Sequence, residues 1–166
     1  KDEMMIIRFS KVLLVVAVSF FCLLTAFGNI TDYSANFPAV VKVLTMSDIF
    51  PDSTITYRAI TSPVLHYVAF IIIVILELLT AIFCGIGAWK LFKARNESAS
   101  VFNHSKNWAI GGLTLGFVTW QVIFMSIGGE WFGMWMSPTL NSALTTAFHI
   151  FITILAVMIY LVIKDE

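Results

Sequence analysis

Residues 63–91 read PVLHYVAFIIIVILELLTAIFCGIGAWKL, with Glu77 as the one acidic side chain in the run. As a helix this stretch rises about 43 Å at ~1.5 Å per residue, more than the ~30 Å of a bilayer hydrocarbon core. Ser62 and Pro63 supply a helix start, since Ser accepts from unpaired N–H groups and Pro lacks one. Three further stretches are apolar enough to span: about Phe9 to Phe27, Trp108 to Ile127 and Pro138 to Ile163. The pattern predicts an all-α fold, a four-helix transmembrane bundle forming a single integral membrane domain over residues 1–166. Ser137-Pro138 before the fourth span repeats the helix-start chemistry of the second.

Composition agrees. Of 166 residues, 59% are apolar and 12% charged, and ten basic groups balance ten acidic ones. Soluble domains carry ~25% charged residues, so a disordered chain, a basic nucleic-acid binder and an ordinary cytosolic enzyme are excluded. The first apolar run, ending in Ala26-Phe27-Gly28, has the form of a signal peptide with a small-x-small cleavage site. It is read here as a retained anchor. Cys22 and Cys84 fall at different depths of their spans, so no disulfide is expected.

Basic residues set the expected topology. Lys1, Arg8 and Lys11, then Lys90, Lys93, Arg95 and Lys106, then Lys164 lie on one side, and Lys42 and Arg58 on the other. Eight against two places both termini in the cytoplasm by the positive-inside rule. The first outer connection, about Asn29 to Ser62, is too long to be structureless. Asn36-Phe37-Pro38 reads as a cap and early-helix proline, and Phe37, Val40, Val41 and Leu44 follow at the spacing of one apolar face. A short amphipathic helix is expected there, then a turn at Phe50-Pro51-Asp52-Ser53 and a weakly extended Thr54 to Ile60.

Ionisable and strongly polar groups within spans are costly and mark candidate sites. On a helix, His66, Phe70, Ile73, Glu77, Thr80 and Cys84 share one stripe, and Ser142, Thr146, His149, Thr153, Ala156 and Tyr160 another. Counted from the outer side, the polar side chains descend in the order His66, Gln121, His149, Glu77. Below Glu77 only hydroxyls and Cys84 follow, which suggests a polar vestibule open outward and closed beneath rather than a conduction path. Glu77, His149, Gln121 and His66 are therefore the candidate binding residues. Glu77 is expected either to pair with His149 or Gln121 and hold helices together, or to bind a proton, cation, lipid or quinone. His66 is expected at the interface.

No nucleophile–base set or phosphate loop occurs, so no enzymatic activity is expected. No metal-ligand spacing occurs, and the depths of His66 and His149 do not match as haem ligands, so no metal or other cofactor is expected. Partner surfaces are a different matter. Gly128-Gly129-Glu130-Trp131-Phe132-Gly133-Met134-Trp135-Met136-Ser137 is the most distinctive stretch. Its aromatic residues suit either a membrane-interface belt or a docking surface, for which Glu130, Trp131, Phe132 and Trp135 are candidates. Gly112 and Gly116 form a GxxxG pair that serves either internal packing or docking to another membrane subunit, and Ala81 with Gly85 makes a similar pair.

Several of these stretches occur together in one known pattern. Asn36-Phe37-Pro38, Val43-Leu44-Thr45-Met46, Phe50-Pro51, Arg58-Ala59-Ile60 and Ser62-Pro63-Val64-Leu65-His66, continuing through Glu77 to Gly128-Gly129-Glu130-Trp131-Phe132-Gly133-Met134-Trp135, resemble a bacterial family of predicted small integral membrane proteins, a domain of unknown function. The resemblance implies four spans in a bacterial inner membrane and supplies no substrate. The expectation is a non-enzymatic accessory or partner-binding subunit that contacts the lipid bilayer and a membrane-protein partner or a second copy of itself, and no nucleic acid. The alternative is a small ion, lipid or quinone binding or transport protein using Glu77 and His149.

Overall fold

A computed structural model describes residues 2–166. The helices are α1 (Asp2–Thr31), α2 (Tyr33–Leu44), α3 (Pro63–Lys93), α4 (Ala99–His104), α5 (Asn107–Val118) and α6 (Asn141–Val162). α5 runs on without a break as a π-helix, Thr119–Trp131. Among the described residues, four helical segments are long and apolar enough to cross a membrane: Asp2–Thr31, Pro63–Asn96, Ala99–Trp131 and Asn141–Val162. The fold is the expected all-α four-span bundle.

The ends of the elements differ from the expected ones for local reasons. α1 starts at Asp2 instead of near Phe9, because Arg8 and Lys11 find partners inside the protein and need not leave the helix for water. α2 starts at Tyr33, so Asn36 is inside the helix and not its cap; its Nδ2 donates to the Asp32 carbonyl at 2.9 Å. Thr54 to Ile60 is not extended but contains a 3-10 turn, Thr56–Arg58, and the Ile60 N–H donates to the Leu44 carbonyl at 2.7 Å. The turn at Phe50–Ser53 forms as expected, closed by the Ser53 N–H on the Phe50 carbonyl. α6 starts at Asn141, three residues after Pro138; Ser137 Oγ instead accepts from the Leu140 N–H and fixes a separate turn.

α1 packs most extensively on α3, α3 on α5 and α5 on α6, while α1 and α6 meet along a shorter seam. Within lipid no hydrophobic force pulls helices together, so close packing of small residues is decisive. A Cβ on Gly87 would lie 2.4 Å from the Ala109 nitrogen, one on Gly112 2.7 Å from the Cys84 nitrogen, and one on Gly116 2.9 Å from Thr80 Cγ2. Gly112 and Gly116 thus face α3 within the bundle and are buried, so they are not available as a partner surface. Ser19 Oγ donates to the Ala81 carbonyl at 2.7 Å, placing the Ala81–Gly85 side of α3 against α1. Outward-facing side chains such as Leu13, Phe20, Ile71 and Ile82 are exposed, as a lipid-facing surface requires.

Candidate functional site

Glu77 is 1% exposed on the α1-facing side of α3. Its Oε2 accepts a hydrogen bond from Asn29 Nδ2 at 2.8 Å, and its Oε1 is buried without a partner. The partner is therefore Asn29 of α1, not His149 or Gln121. Asn29 continues a buried stripe, Val15, Val18, Cys22, Ala26, whose spacing of three and four carries to position 29. That spacing is the signal by which Asn29 could have been found.

His149 sits elsewhere. It is exposed and lines a lateral cleft of about 390 Å³ along the α1–α6 seam, with Leu14, Ala17, Val18 and Phe21 on one wall and Thr146, Ile150, Thr153 and Ile154 on the other. Thr146 and Thr153 donate to carbonyls of their own helix, Ser142 at 3.3 Å and His149 at 2.7 Å. The imidazole is thus the polar feature of an otherwise apolar cleft. Gln121 is half-buried in the π-helical stretch, where the regular 100° step of an α-helix no longer applies. His66, in the first turn of α3, is buried; its Nε2 is 2.8 Å from the Ile60 carbonyl and so anchors the connection before α3. The four candidate binding residues are distributed over separate places.

The two long connections meet in one cap. Asp48 Oδ2 accepts from the hydroxyls of Ser137 and Thr139, which hold its carboxyl below the usual range, and Lys42 Nζ donates to Thr139 Oγ1 at 3.2 Å. Arg58 donates to the Trp131 carbonyl at 3.1 Å and stacks its guanidinium 4.5 Å from the Trp131 ring. Phe50 meets Trp135 edge-on at 5.8 Å. Gly133, at φ 67°, makes the left-handed turn between Phe132 and Met134, a conformation glycine adopts without a Cβ penalty. These ties leave Trp131 and Trp135 each 50% exposed and Tyr57 76% exposed. Glu130 is exposed as well, whereas Phe132 is buried beneath the cap and cannot be part of a docking surface.

At the opposite end lies a cluster absent from the sequence-based expectations. Arg8, Lys11 and Lys106 are all nearly fully buried around the Asp165 carboxylate. Lys11 donates to Asp165 Oδ1, with Lys106 Nζ 3.4 Å from the same oxygen and Arg8 Nε 3.3 Å from Oδ2. Arg95 and Glu97 carbonyls accept from Arg8 Nη1, the Ile163 carbonyl from Lys11 and Lys106, and Asn103 Oδ1 from Lys106 Nζ at 2.7 Å, while Arg8 Nη2 has no partner among the described residues. Arg8 also lies 4.6 Å from the Phe102 ring. Asn103 clasps the Asp165 backbone, donating to its carbonyl at 2.9 Å and accepting from its N–H at 3.1 Å. Burial alone would raise the Asp165 pKa, but the Lys11 hydrogen bond and the charges of Lys106 and Lys11 outweigh it and hold the carboxyl below its usual range.

Four apolar spans, an ion cluster closing one end and a tied aromatic cap closing the other define a small polytopic integral membrane protein. Residues 7–164 match the family of predicted small integral membrane proteins (DUF2165), and the chain belongs to that family. No curated protein and no solved structure shows significant similarity to it.

Proposed function

We propose that the protein is a non-enzymatic accessory subunit of a bacterial inner membrane, with both termini cytoplasmic, that docks a membrane-protein partner through its outer aromatic cap. The observation that carries this reading is the tying of the two connections by Asp48, Lys42 and Arg58, which presents Trp131, Trp135 and Tyr57 on a fixed backbone. Exposed tryptophan and tyrosine are the side chains that most often dominate binding energy, and fixing them beforehand lowers the entropic cost of association. Glu130 adds an exposed charge at the rim.

Trp131→Ala and Trp135→Ala are each expected to weaken partner retention by about 2 kcal/mol, roughly thirty-fold, while loss of the Arg58 stack or the Phe50 contact lowers stability by no more than about 1 kcal/mol. The measurement is the stoichiometry of the complex in native mass spectrometry after gentle extraction, with photo-crosslinkers at position 135 and, as a lipid-facing control, at position 71. A discrete heterologous adduct at 135 and none at 71 supports the reading. A partner-free monomer under several mild conditions overturns it, and so does an adduct consisting only of a second copy of this chain.

The cleft at the α1–α6 seam favours a second reading, in which the protein binds a lipid or quinone tail. Its volume of about 390 Å³ and its apolar walls with one imidazole suit a small apolar ligand directed by a single hydrogen bond. His149→Leu is then expected to weaken retention of such a ligand about tenfold, the loss of one hydrogen bond of ~1–1.5 kcal/mol. Glu77→Gln, which does not line the cleft, leaves retention intact and changes stability alone. Loss of ligand in Glu77→Gln but not in His149→Leu would remove the cleft from consideration.

A further inference from the structure

The ion cluster at the basic end is unequal. Three cations, Arg8, Lys11 and Lys106, face one carboxylate, and their side chains are 1%, 1% and 3% exposed. Asp165 has two oxygens for three donors, and two of its contacts, 3.3 Å to Arg8 Nε and 3.4 Å to Lys106 Nζ, are long for charge-assisted bonds of ~2.7–2.9 Å. The arginine fork is the clearest mismatch. In a guanidinium, Nε–H and one N–H of Nη2 point in parallel and together receive two oxygens of a carboxylate or phosphate. Arg8 Nη1 is occupied by the Arg95 and Glu97 carbonyls, whereas Nη2 is buried with no partner among the described residues. The fork is half-filled, on the side that faces Asp165.

A ligand with three oxygens and nearly two negative charges meets these donors better than a carboxylate does. We propose that Arg8, Lys11 and Lys106 form a binding site for a terminal phosphate group, in which the Asp165 side chain is a tethered stand-in. Two phosphate oxygens fill the Arg8 fork, and the remaining one lies between the two ammonium groups. The Asp165 side chain swings out while Asn103 keeps hold of its backbone. The donors are carried by the first turns of α1 and the approach to α5, and Asp165 by the residues beyond α6, hence at one end of the bundle, where the swing of the Asp165 side chain would open the cluster to a lipid headgroup or a free phosphate. A phosphate monoester headgroup and inorganic phosphate share the chemistry and differ only in source.

The test uses the full chain in nanodiscs of phosphatidylcholine. Inorganic phosphate is titrated at ionic strength matched with chloride, and separate nanodiscs carry phosphatidate or an equal fraction of phosphatidylglycerol. Thermal midpoint and native mass spectrometry are the readouts. Either phosphate source is expected to raise the midpoint of the wild type, soluble phosphate if the ligand is free and phosphatidate alone if it is a headgroup. Removing the tethered competitor by Asp165→Asn tightens binding about tenfold or more. Arg8→Lys keeps the charge but loses the fork, and weakens it about tenfold. Should Asp165→Asn fold only when phosphate is supplied, that rescue is itself a positive result, and the wild-type against Arg8→Lys comparison stands without it. Equal responses to chloride and phosphate together with equal responses to phosphatidylglycerol and phosphatidate would overturn the site, and so would a response to the effective phosphate source that is unaltered in Arg8→Lys.

Discussion

Asp165→Asn, in phosphate-free buffer and uncharged lipid, is expected to lower the unfolding free energy by about 3 kcal/mol, while Lys164→Ala stays within about 0.5 kcal/mol. The asymmetry comes from what each change leaves behind. Lys164 is exposed and water replaces its contacts, whereas Asn in place of Asp165 leaves Arg8, Lys11 and Lys106 buried together with no anion among them. Breaking a buried ion pair costs ~3–5 kcal/mol, and the lower end applies because the cluster sits at the very end of the bundle, where the exposed Lys164 and Glu166 flank it. Acid should reproduce the effect. The folded carboxyl lies below its ordinary value of ~3.9, so its stabilisation is complete above that value and is lost as pH falls through the lower, folded one. Unfolding titrations in mixed micelles at neutral and acid pH measure both. A wild-type curve that parallels that of Asp165→Asn down through this window would mean that the carboxylate contributes nothing.

The same cluster marks the boundary of what the chain discloses on its own. Number, order and type of the spans follow from apolar run length, because the bilayer demands it whatever the neighbours are. The aromatic cap was visible as a composition anomaly around Trp131 and Trp135, though not the inward turn of Phe132, which depends on the left-handed Gly133. Arg8 and Lys11 read as solvated topology markers because their anion, Asp165, lies 157 and 154 residues away. Their register carries the signal: Arg8, Lys11, Val15, Val18, Cys22, Ala26 and Asn29 form one stripe at steps of three and four, so the buried face of α1 begins with two cations and ends with the partner of Glu77. Gln121 differs in another way. Its position was counted on a regular α-helix, and the i→i+5 bonding from Thr119 onward changes the angle per residue.

Gly87→Ala is the second change with a large expected effect, and its matched control is Gly111→Ala. A methyl group on Gly87 would lie 2.4 Å from the Ala109 nitrogen and 2.5 Å from its Cα, so it meets backbone that cannot rotate away. α3 and α5 must separate at their closest approach, at a cost of about 3 kcal/mol, the upper end of the usual overpacking range. At Gly111 nothing lies within 4 Å, and alanine there gains up to ~1 kcal/mol of helix propensity. The two substitutions add the same atom to helices of the same bundle, so their difference isolates packing from composition. Cys84 supplies the readout. It is fully buried on the same face as Gly87, against Gly112, and is unreactive while α3 and α5 stay in contact. Gly87→Ala should speed its labelling by a membrane-permeant maleimide and lower the unfolding midpoint, whereas Gly111→Ala should do neither. GxxxG counting places the weight on Gly112 and Gly116, while the shorter approach is at Gly87, which belongs to no such pair with them. Unchanged Cys84 labelling in Gly87→Ala would mean that the helices cross elsewhere.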